Sequence, residues 1–280
     1  MRFDHLIAGP AILFAPANRA EIIPKAAAQA DVVILDLEDG AGDMDRPQAY
    51  ENIRSCGLDP ATTIVRVTGP RSPHFHDDVA FVRTTPYDLV MVPKVYAEIP
   101  AELSGYKLIA MIETPDAIAA LPQLAAHEDV VGFFWGAEDL TVLLGGTHSR
   151  FQVDEGAPAS RPGPYRAVIS HARSQMHIHA SVHGKFVIDA VHADFHDEEG
   201  LFLEAADAAR SGFIGFACIH PRQLATVRRA FAPDAEQLEW ARKVLAEAPK
   251  FPGAFKLEGE MVDAPLISQA KRVVSRALAE

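Results

Sequence analysis

Acidic side chains follow three apolar runs of this chain, at positions where they could bind a metal ion. The runs VVILDLED, LIAMIET and VVGFFWGAEDL end on Asp36, Glu38 and Asp39, on Glu113, and on Glu138 and Asp139. Mg²⁺ prefers carboxylate and water oxygens and usually takes one or two protein carboxylates. Crowded carboxylates also repel one another unless a cation neutralises them. The acids therefore predict a magnesium site if the fold brings them together, although each acid alone could instead cap a helix.

Two basic residues at the ends of other apolar runs complement these acids. Arg66 follows the run TIV, and Lys94 follows the run LVMVP. A planar guanidinium group can hold a carboxylate through two parallel hydrogen bonds. Arg66 is therefore predicted to bind the carboxylate of a substrate. The alternative is a buried salt bridge between Arg66 and one of the acids.

The apolar runs alternate with amphipathic stretches along the whole chain. This alternation of strand and helix predicts a parallel sheet. Eight such units fit an α/β fold of the (β/α)8 TIM barrel type better than an open doubly wound sheet, and no G-x-G-x-x-G follows the first strand. The barrel would gather the acids and Arg66 at the carboxyl ends of its strands. Strands are predicted at Ala11–Pro16, Val32–Leu37, Thr63–Val67, Leu89–Val95, Lys107–Ile112, Val130–Trp135, Lys185–Val191 and Phe213–Ile219.

Residues 1–232 are predicted to form the barrel domain, and residues 233–280 a C-terminal helical extension. Asn18, Asp45 and Asp197 precede helix-like stretches as candidate N-caps. The stretch Gly145–Pro164 is rich in Gly, Pro and Ser, which predicts a long loop.

Composition and charge exclude several classes of protein. The net charge of −12 argues against non-specific nucleic-acid binding, which needs a basic face. No apolar stretch approaches the roughly 18 residues of a membrane span, and the N-terminus does not resemble a signal peptide. A cytoplasmic protein without a membrane partner is therefore expected. His177, His179 and His183 are predicted to lie in a polar surface loop rather than to bind zinc.

Nine segments, in this order and spacing, give the chain a family resemblance along nearly its whole length. The chain resembles the citrate lyase β-subunit-like (CitE-like) branch of the HpcH/HpaI aldolase family, which also contains malyl-CoA and citramalyl-CoA lyases. The matching segments are Leu13–Lys25, Val33–Gly40, Val65–Val67, Val92–Val95, Met111–Thr114, Gly136–Leu140, Asp197–Leu201, Cys218–Gln223 and Gly259–Pro265.

The resemblance implies a metal site and a substrate site at the barrel mouth. It implies a (β/α)8 barrel that forms a homotrimer or hexamer, with Mg²⁺ bound by Glu113 and Asp139. Arg66 would hold the carboxylate of a 2-oxo acid, helped by backbone N–H groups around Ala137. Because neighbouring strand residues point to opposite faces, Glu138 is predicted to be structural.

The resemblance also implies roles for residues farther from the metal. Glu38 and Asp39 would lie near the water ligands of the metal. Arg19 and Lys25 match positions that meet the phosphates of coenzyme A. Asp263 matches an acid on a C-terminal lid segment that reaches the active site of a neighbouring subunit and transfers a proton.

The implied reaction is reversible carbon–carbon cleavage of a 3-hydroxyacyl thioester into a 2-oxo acid and a short acyl thioester. Two alternatives stay open: a divalent-metal aldolase that uses no coenzyme A, and a citrate lyase β-type subunit that needs partner chains. The chain departs from the family pattern at Ala17, Phe216 and Ala190. These departures leave the thioester partner, coenzyme A or acyl-carrier protein, open.

Overall fold

Eight parallel strands close into a barrel. The computed structural model describes residues 3–38, 45–158 and 163–277. Each strand pairs with the next along the chain, and β1 pairs with β8. The predicted (β/α)8 barrel is confirmed, and every predicted strand is present. The strands are β1 Ala11–Pro16, β2 Val32–Asp36, β3 Thr63–Arg66, β4 Leu89–Val92, β5 Lys107–Ile112, β6 Val130–Trp135, β7 Phe186–Asp189 and β8 Gly215–Cys218.

The apolar runs form strands because both of their faces are buried. Every residue of β2, β4 and β6 is buried, which explains why these segments read as continuous apolar runs rather than alternating ones. Inside the barrel, Ile34, Ile64 and Met91 belong to one core cluster that draws on all eight strands. The register between β2 and β3 places Asp36 directly beside Arg66.

Helices follow most of the strands, and two of the three predicted caps are present. Asp45 accepts a hydrogen bond from the Gln48 backbone N–H at 3.1 Å, and Asp197 accepts one from Gly200 at 2.8 Å. Asn18 is not an N-cap, because the first helix begins only at Ile23. The helices are α1 Ile23–Ala27, α2 Arg46–Ser55, α3 Phe75–Val82, α4 Pro115–Ala119, α5 Leu121–Ala126, α6 Ala137–Leu143, α7 Ala167–Val182, α8 Glu198–Ser211, α9 Gln223–Phe231, α10 Ala235–Glu247 and α11 Ala264–Ala277.

Two local predictions were wrong. Helix α7 continues to Val182, so His177 and His179 lie on a helix and not in a loop. Strand β6 ends at Trp135, and the GAEDL segment turns at once into α6. The alternation of strand faces therefore does not separate Glu138 from Asp139, since neighbouring residues of a helix differ by about 100° around its axis.

The chain forms two compact units, Met1–Val227 and Arg228–Glu280. The second unit has its own small core, which includes Val244, Phe255 and Ala270. Between α10 and α11 lies an antiparallel hairpin, β9 Phe255–Leu257 and β10 Glu260–Val262. The domain boundary predicted between residues 232 and 233 stays a prediction. Among the described helices, none combines the length and apolar character of a membrane span.

Candidate active site

The carboxyl ends of β2, β3, β5 and β6 surround a cavity of about 490 Å³. Arg66, Glu113, Ala137 and Asp139 all line it, so four of the predicted site residues meet at one place. Asp36 lines the same cavity and was not among the predicted site residues. The signal for Asp36 was present in the sequence, because residues two apart along a strand share a face and Glu38 follows Asp36 at that spacing.

The buried carboxylate of Asp36 holds Arg66 in place. Its Nε lies 2.7 Å from Asp36 Oδ1 and its Nη2 lies 2.7 Å from Asp36 Oδ2, while its Nη1 lies 2.9 Å from Glu38 Oε2. The guanidinium also stacks over Phe14 at 4.8 Å from the ring centroid. The buried salt bridge left open as an alternative is therefore present. It does not exclude substrate binding, because a guanidinium has five N–H groups and the pair with Asp36 uses two.

Glu113 is a deeply buried acid of the cavity, with 2% of its surface exposed. Its Oε1 accepts a hydrogen bond of 2.6 Å from the Lys94 backbone N–H. Burial and the negative charges of Asp139 and Glu38 raise the pKa of Glu113 from 4.5 to about 8. Gly136 leaves room for this side chain, since a Cβ at that position would lie 2.4 Å from Glu113 Oε2. A cation bound at Glu113 would therefore displace a proton from this carboxyl group and stabilise its ionised form.

Lys94 lies between two further acids. Its Nζ is 2.8 Å from Glu38 Oε1 and 4.0 Å from Asp139 Oδ1. The side chain of Glu38 is enclosed, whereas that of Asp139 is 42% exposed. Lys94 was recognised in the sequence only as a basic residue at a strand end, and its contacts make it part of the cluster.

The charges of this cluster fit a divalent cation. Its members carry four negative and two positive formal charges, which leaves −2 when all are ionised. No group of three or more His, Cys, Asp or Glu in residues 3–38, 45–158 and 163–277 is placed to hold a metal ion. Glu113 and Asp139 could hold Mg²⁺ as a pair, since Mg²⁺ keeps several water ligands. The cluster consists of Asp36, Glu38, Glu113, Asp139, Arg66 and Lys94.

Other predicted residues lie elsewhere. Arg19 and Lys25 are exposed after β1, where Arg19 pairs with Glu21 at 3.1 Å, and neither lines the cavity. Asp263 belongs to the second unit, directly after β10. Asp39 lies outside the described residues.

Asp189, another acid at a strand end, has a structural role. It accepts hydrogen bonds from Trp135 Nε1 at 2.7 Å and from Arg173 Nη2 at 2.6 Å. This network fixes Trp135, the last residue of β6, and so supports Gly136 and Ala137 next to it. No local sequence pattern predicts this network, because Arg173 lies on a helix 16 residues before Asp189.

Two family models match the chain. One, described as HpcH/HpaI aldolase/citrate lyase, matches residues 11–105 and 96–221. The other, described as a carbon–carbon bond lyase of the TIM-barrel fold, matches residues 165–279.

Relatives align over almost the whole chain. A citrate lyase subunit beta-like protein of Mycobacterium tuberculosis is 43% identical over 271 residues, which cover 96% of each chain. The mitochondrial citramalyl-CoA lyase of Homo sapiens is 28% identical and covers 95% of this chain and 85% of its own. The crystal structure of CitE from M. tuberculosis with magnesium, acetoacetate and coenzyme A has a TM-score of 0.87 at 43% identity and covers 97% of this chain and 99% of its own.

Proposed function

Since the chain belongs to the HpcH/HpaI aldolase/citrate lyase family, we propose that it is a Mg²⁺-dependent carbon–carbon lyase or synthase of 3-hydroxyacyl thioesters. The substrate is of the malyl, citramalyl or citryl type, and the products are a 2-oxo acid and a short acyl thioester. Relatives of this chain include a citramalyl-CoA lyase and an L-malyl-CoA/beta-methylmalyl-CoA lyase of Rhodobacter capsulatus, which supports this substrate class.

One observation carries the proposal: a cluster of four carboxylates, Arg66 and Lys94, with a net formal charge of −2 when all are ionised, which opens to a cavity on the side of Glu113 and Asp139. We assign the metal to these two residues. Bound there, Mg²⁺ supplies a Lewis acid for the carboxylate and adjacent oxygen of the 2-oxo acid. Related structures contain magnesium together with acetoacetate or with oxaloacetate, which supports the assignment.

Arg66 binds the carboxylate of the 2-oxo acid with the N–H groups that face away from Asp36. Asp36 fixes the plane of the guanidinium group, so the Arg66 side chain loses little conformational entropy when substrate binds. Ala137 begins helix α6 and lines the cavity, and its backbone N–H has no intrahelical acceptor. This backbone N–H donates a further hydrogen bond to the carboxylate of the 2-oxo acid.

Asp263 moves the proton on the acyl partner. In the condensation direction its carboxylate removes a proton from the α-carbon of the acyl thioester, the resulting enolate attacks the oxo carbon, and the alkoxide so formed takes up a proton from solvent to become the 3-hydroxyl group. In cleavage the hydroxyl group gives up this proton, the carbon–carbon bond breaks, and the protonated Asp263 gives its proton to the enolate carbon. The residue comes from a neighbouring copy in a homotrimer or hexamer. Arg19 and Lys25, both exposed and basic, bind the phosphates of coenzyme A.

A thermal-shift series tests the proposed function directly. Ligands that bind only the native state raise the melting temperature. We expect a 2-oxo acid to raise it only when Mg²⁺ is present, and an acyl-CoA to raise it further. Full activity without any coenzyme A would instead favour the metal aldolase. Turnover only after addition of an acyl-carrier partner would favour the citrate lyase subunit.

A further inference from the structure

Lys94 has a backbone conformation that L-amino acids rarely adopt. Its φ is +49°, and in the part of the chain that the structure describes only Glu258 shares a positive φ among non-glycine residues. Such strain persists where the surroundings hold it, and it concentrates at functional sites. Here the surroundings include Gly69, where a Cβ would lie 3.1 Å from the Lys94 Cβ. The conformation of Lys94 therefore needs an explanation in the site it borders.

The backbone N–H of Lys94 contacts a residue of the proposed metal site. Its N–H donates to Glu113 Oε1 at 2.6 Å. The other oxygen of this carboxylate, Oε2, faces Gly136 on the cavity wall. The backbone of Lys94 thus fixes how Glu113 presents its carboxylate.

The side-chain ammonium group of Lys94 contacts a second acid, Glu38. Glu38 is held between two cations, with Oε1 at 2.8 Å from Lys94 Nζ and Oε2 at 2.9 Å from Arg66 Nη1. Asp139 is only 4.0 Å from the same ammonium and keeps 42% of its side chain exposed. Glu38 thus has a different cation beside each of its two carboxylate oxygens, Lys94 at Oε1 and Arg66 at Oε2.

We propose that Lys94 holds Glu38 outside the coordination sphere of the metal, an inference that rests on the metal site of the proposed function. Glu113 and Asp139 then remain the two protein ligands, and the other positions stay open to water and substrate. This arrangement suits Mg²⁺, whereas a third carboxylate favours Ca²⁺, which takes six to eight oxygen ligands. Lys94 is a positioning residue that acts through Glu38.

Metal titration of the purified full-length protein by calorimetry tests the inference. In Lys94→Met the Oε1 of Glu38 loses its cation and can bind the metal, so Ca²⁺ affinity should rise about tenfold and the preference for Mg²⁺ over Ca²⁺ should fall. Adding Glu38→Gln to Lys94→Met should return both metals to wild-type affinity. Lys94→Arg, which keeps the charge, should also resemble the wild type. Lys107→Met is the control, because Lys107 pairs with Asp88 on the surface.

Each result either supports or contradicts the role of Lys94. A merely structural role predicts weaker binding of both metals in Lys94→Met, and such a loss would overturn the inference. Ca²⁺ binding that stays tighter than in the wild type when Glu38→Gln is added to Lys94→Met would also overturn the inference. If Lys94→Met does not fold, Glu38→Gln alone decides, since its Mg²⁺ affinity should stay within about threefold of wild type for a residue that is not a ligand. A wild-type protein that binds no Mg²⁺ would remove the proposed function together with this inference.

Discussion

Asp36 determines how Arg66 can meet a substrate. The bidentate pair is almost completely buried, with side-chain exposures of 9% and 1%. Removing one partner of a buried pair leaves the other charge without compensation, which costs more than the pair itself contributes. A single carboxylate at the end of β2 thus supports both the stability of the barrel and the geometry of substrate binding.

Replacing Asp36 by Asn should therefore affect stability and catalysis together. We expect Asp36→Asn to lower the free energy of unfolding by about 3 kcal/mol and to raise the KM for the 2-oxo acid. Urea unfolding and steady-state kinetics measure the two effects. Asp88→Asn is the matched control, because Asp88 pairs with Lys107 at the surface and such pairs contribute about 1 kcal/mol or less. Equal losses in both variants would contradict the role of Asp36.

The stability of the metal-free protein depends on pH through Glu113. Because its pKa in the folded protein is about 8 and its ordinary value is 4.5, the folded state binds more protons between these values. The contribution of Glu113 to stability is thus present below pH 4.5 and is lost as the pH rises towards 8. Mg²⁺ needs the ionised carboxylate, so its stabilising effect should grow over the same range.

The expected result is a larger Mg²⁺-induced rise in melting temperature at about pH 9 than at about pH 6. Melting curves with and without Mg²⁺ across this range provide the measurement. Glu113→Gln should flatten the dependence. A rise in melting temperature that does not change with pH would contradict the raised pKa of Glu113.

The short turn from β6 into α6 is the element that shapes the site. Gly136 joins the strand to the helix at φ −116° and ψ 105°, a conformation open to any residue. Its importance lies in space, since a Cβ would lie 2.4 Å from Glu113 Oε2 and 3.0 Å from Glu113 Cβ. A side chain here must displace the carboxylate proposed to bind the metal.

Gly136→Ala should therefore weaken Mg²⁺ binding by about tenfold or more while the fold persists, because the strain falls on a side chain rather than on the backbone. Calorimetric titration reports the affinity, and circular dichroism reports the fold. Gly253→Ala serves as control, since a Cβ there would meet nothing within 4 Å. Unchanged affinity in Gly136→Ala would show that Glu113 is not confined as described.

The sequence predicted elements better than it predicted their junctions. All eight strands follow from buried apolar runs, and the family motifs placed Arg66, Glu113 and Asp139 at the barrel mouth. Helix α6 was missed because it has only seven residues, follows β6 after a single residue and begins without a side-chain cap. The Asp36–Arg66 pair depends on strand register, and the conformation of Lys94 depends on tertiary contacts, which no local pattern encodes.

At the scale of the whole molecule, the proposed chemistry draws on two units. The barrel carries Glu113, Asp139 and Arg66, whereas Asp263 belongs to the second unit. Asp263→Asn should abolish turnover and leave Mg²⁺ binding intact, because the residue is proposed to move a proton and not to bind metal. Weaker metal binding, or retained activity, would remove Asp263 from this role.

Mixing two inactive variants tests whether the second unit serves a neighbouring copy. Asp263→Asn and Arg66→Ala each destroy a different part of the site. If Asp263 acts in another subunit, mixed oligomers contain some complete sites and activity should return. A mixture of Arg66→Ala with Glu113→Gln is the control, because both residues line one cavity and no complete site can form. No recovery in the first mixture would place Asp263 in its own subunit or outside the reaction.

The most direct test of the account is a Mg²⁺ titration in the presence of a 2-oxo acid, by calorimetry. The wild-type protein should bind one Mg²⁺ per chain. Glu113→Gln and Asp139→Asn should each lose that binding, whereas Glu138→Gln, which changes another acid of the same cavity, should keep it. Binding that survives both substitutions, or no binding in the wild type, would contradict a magnesium site at Glu113 and Asp139.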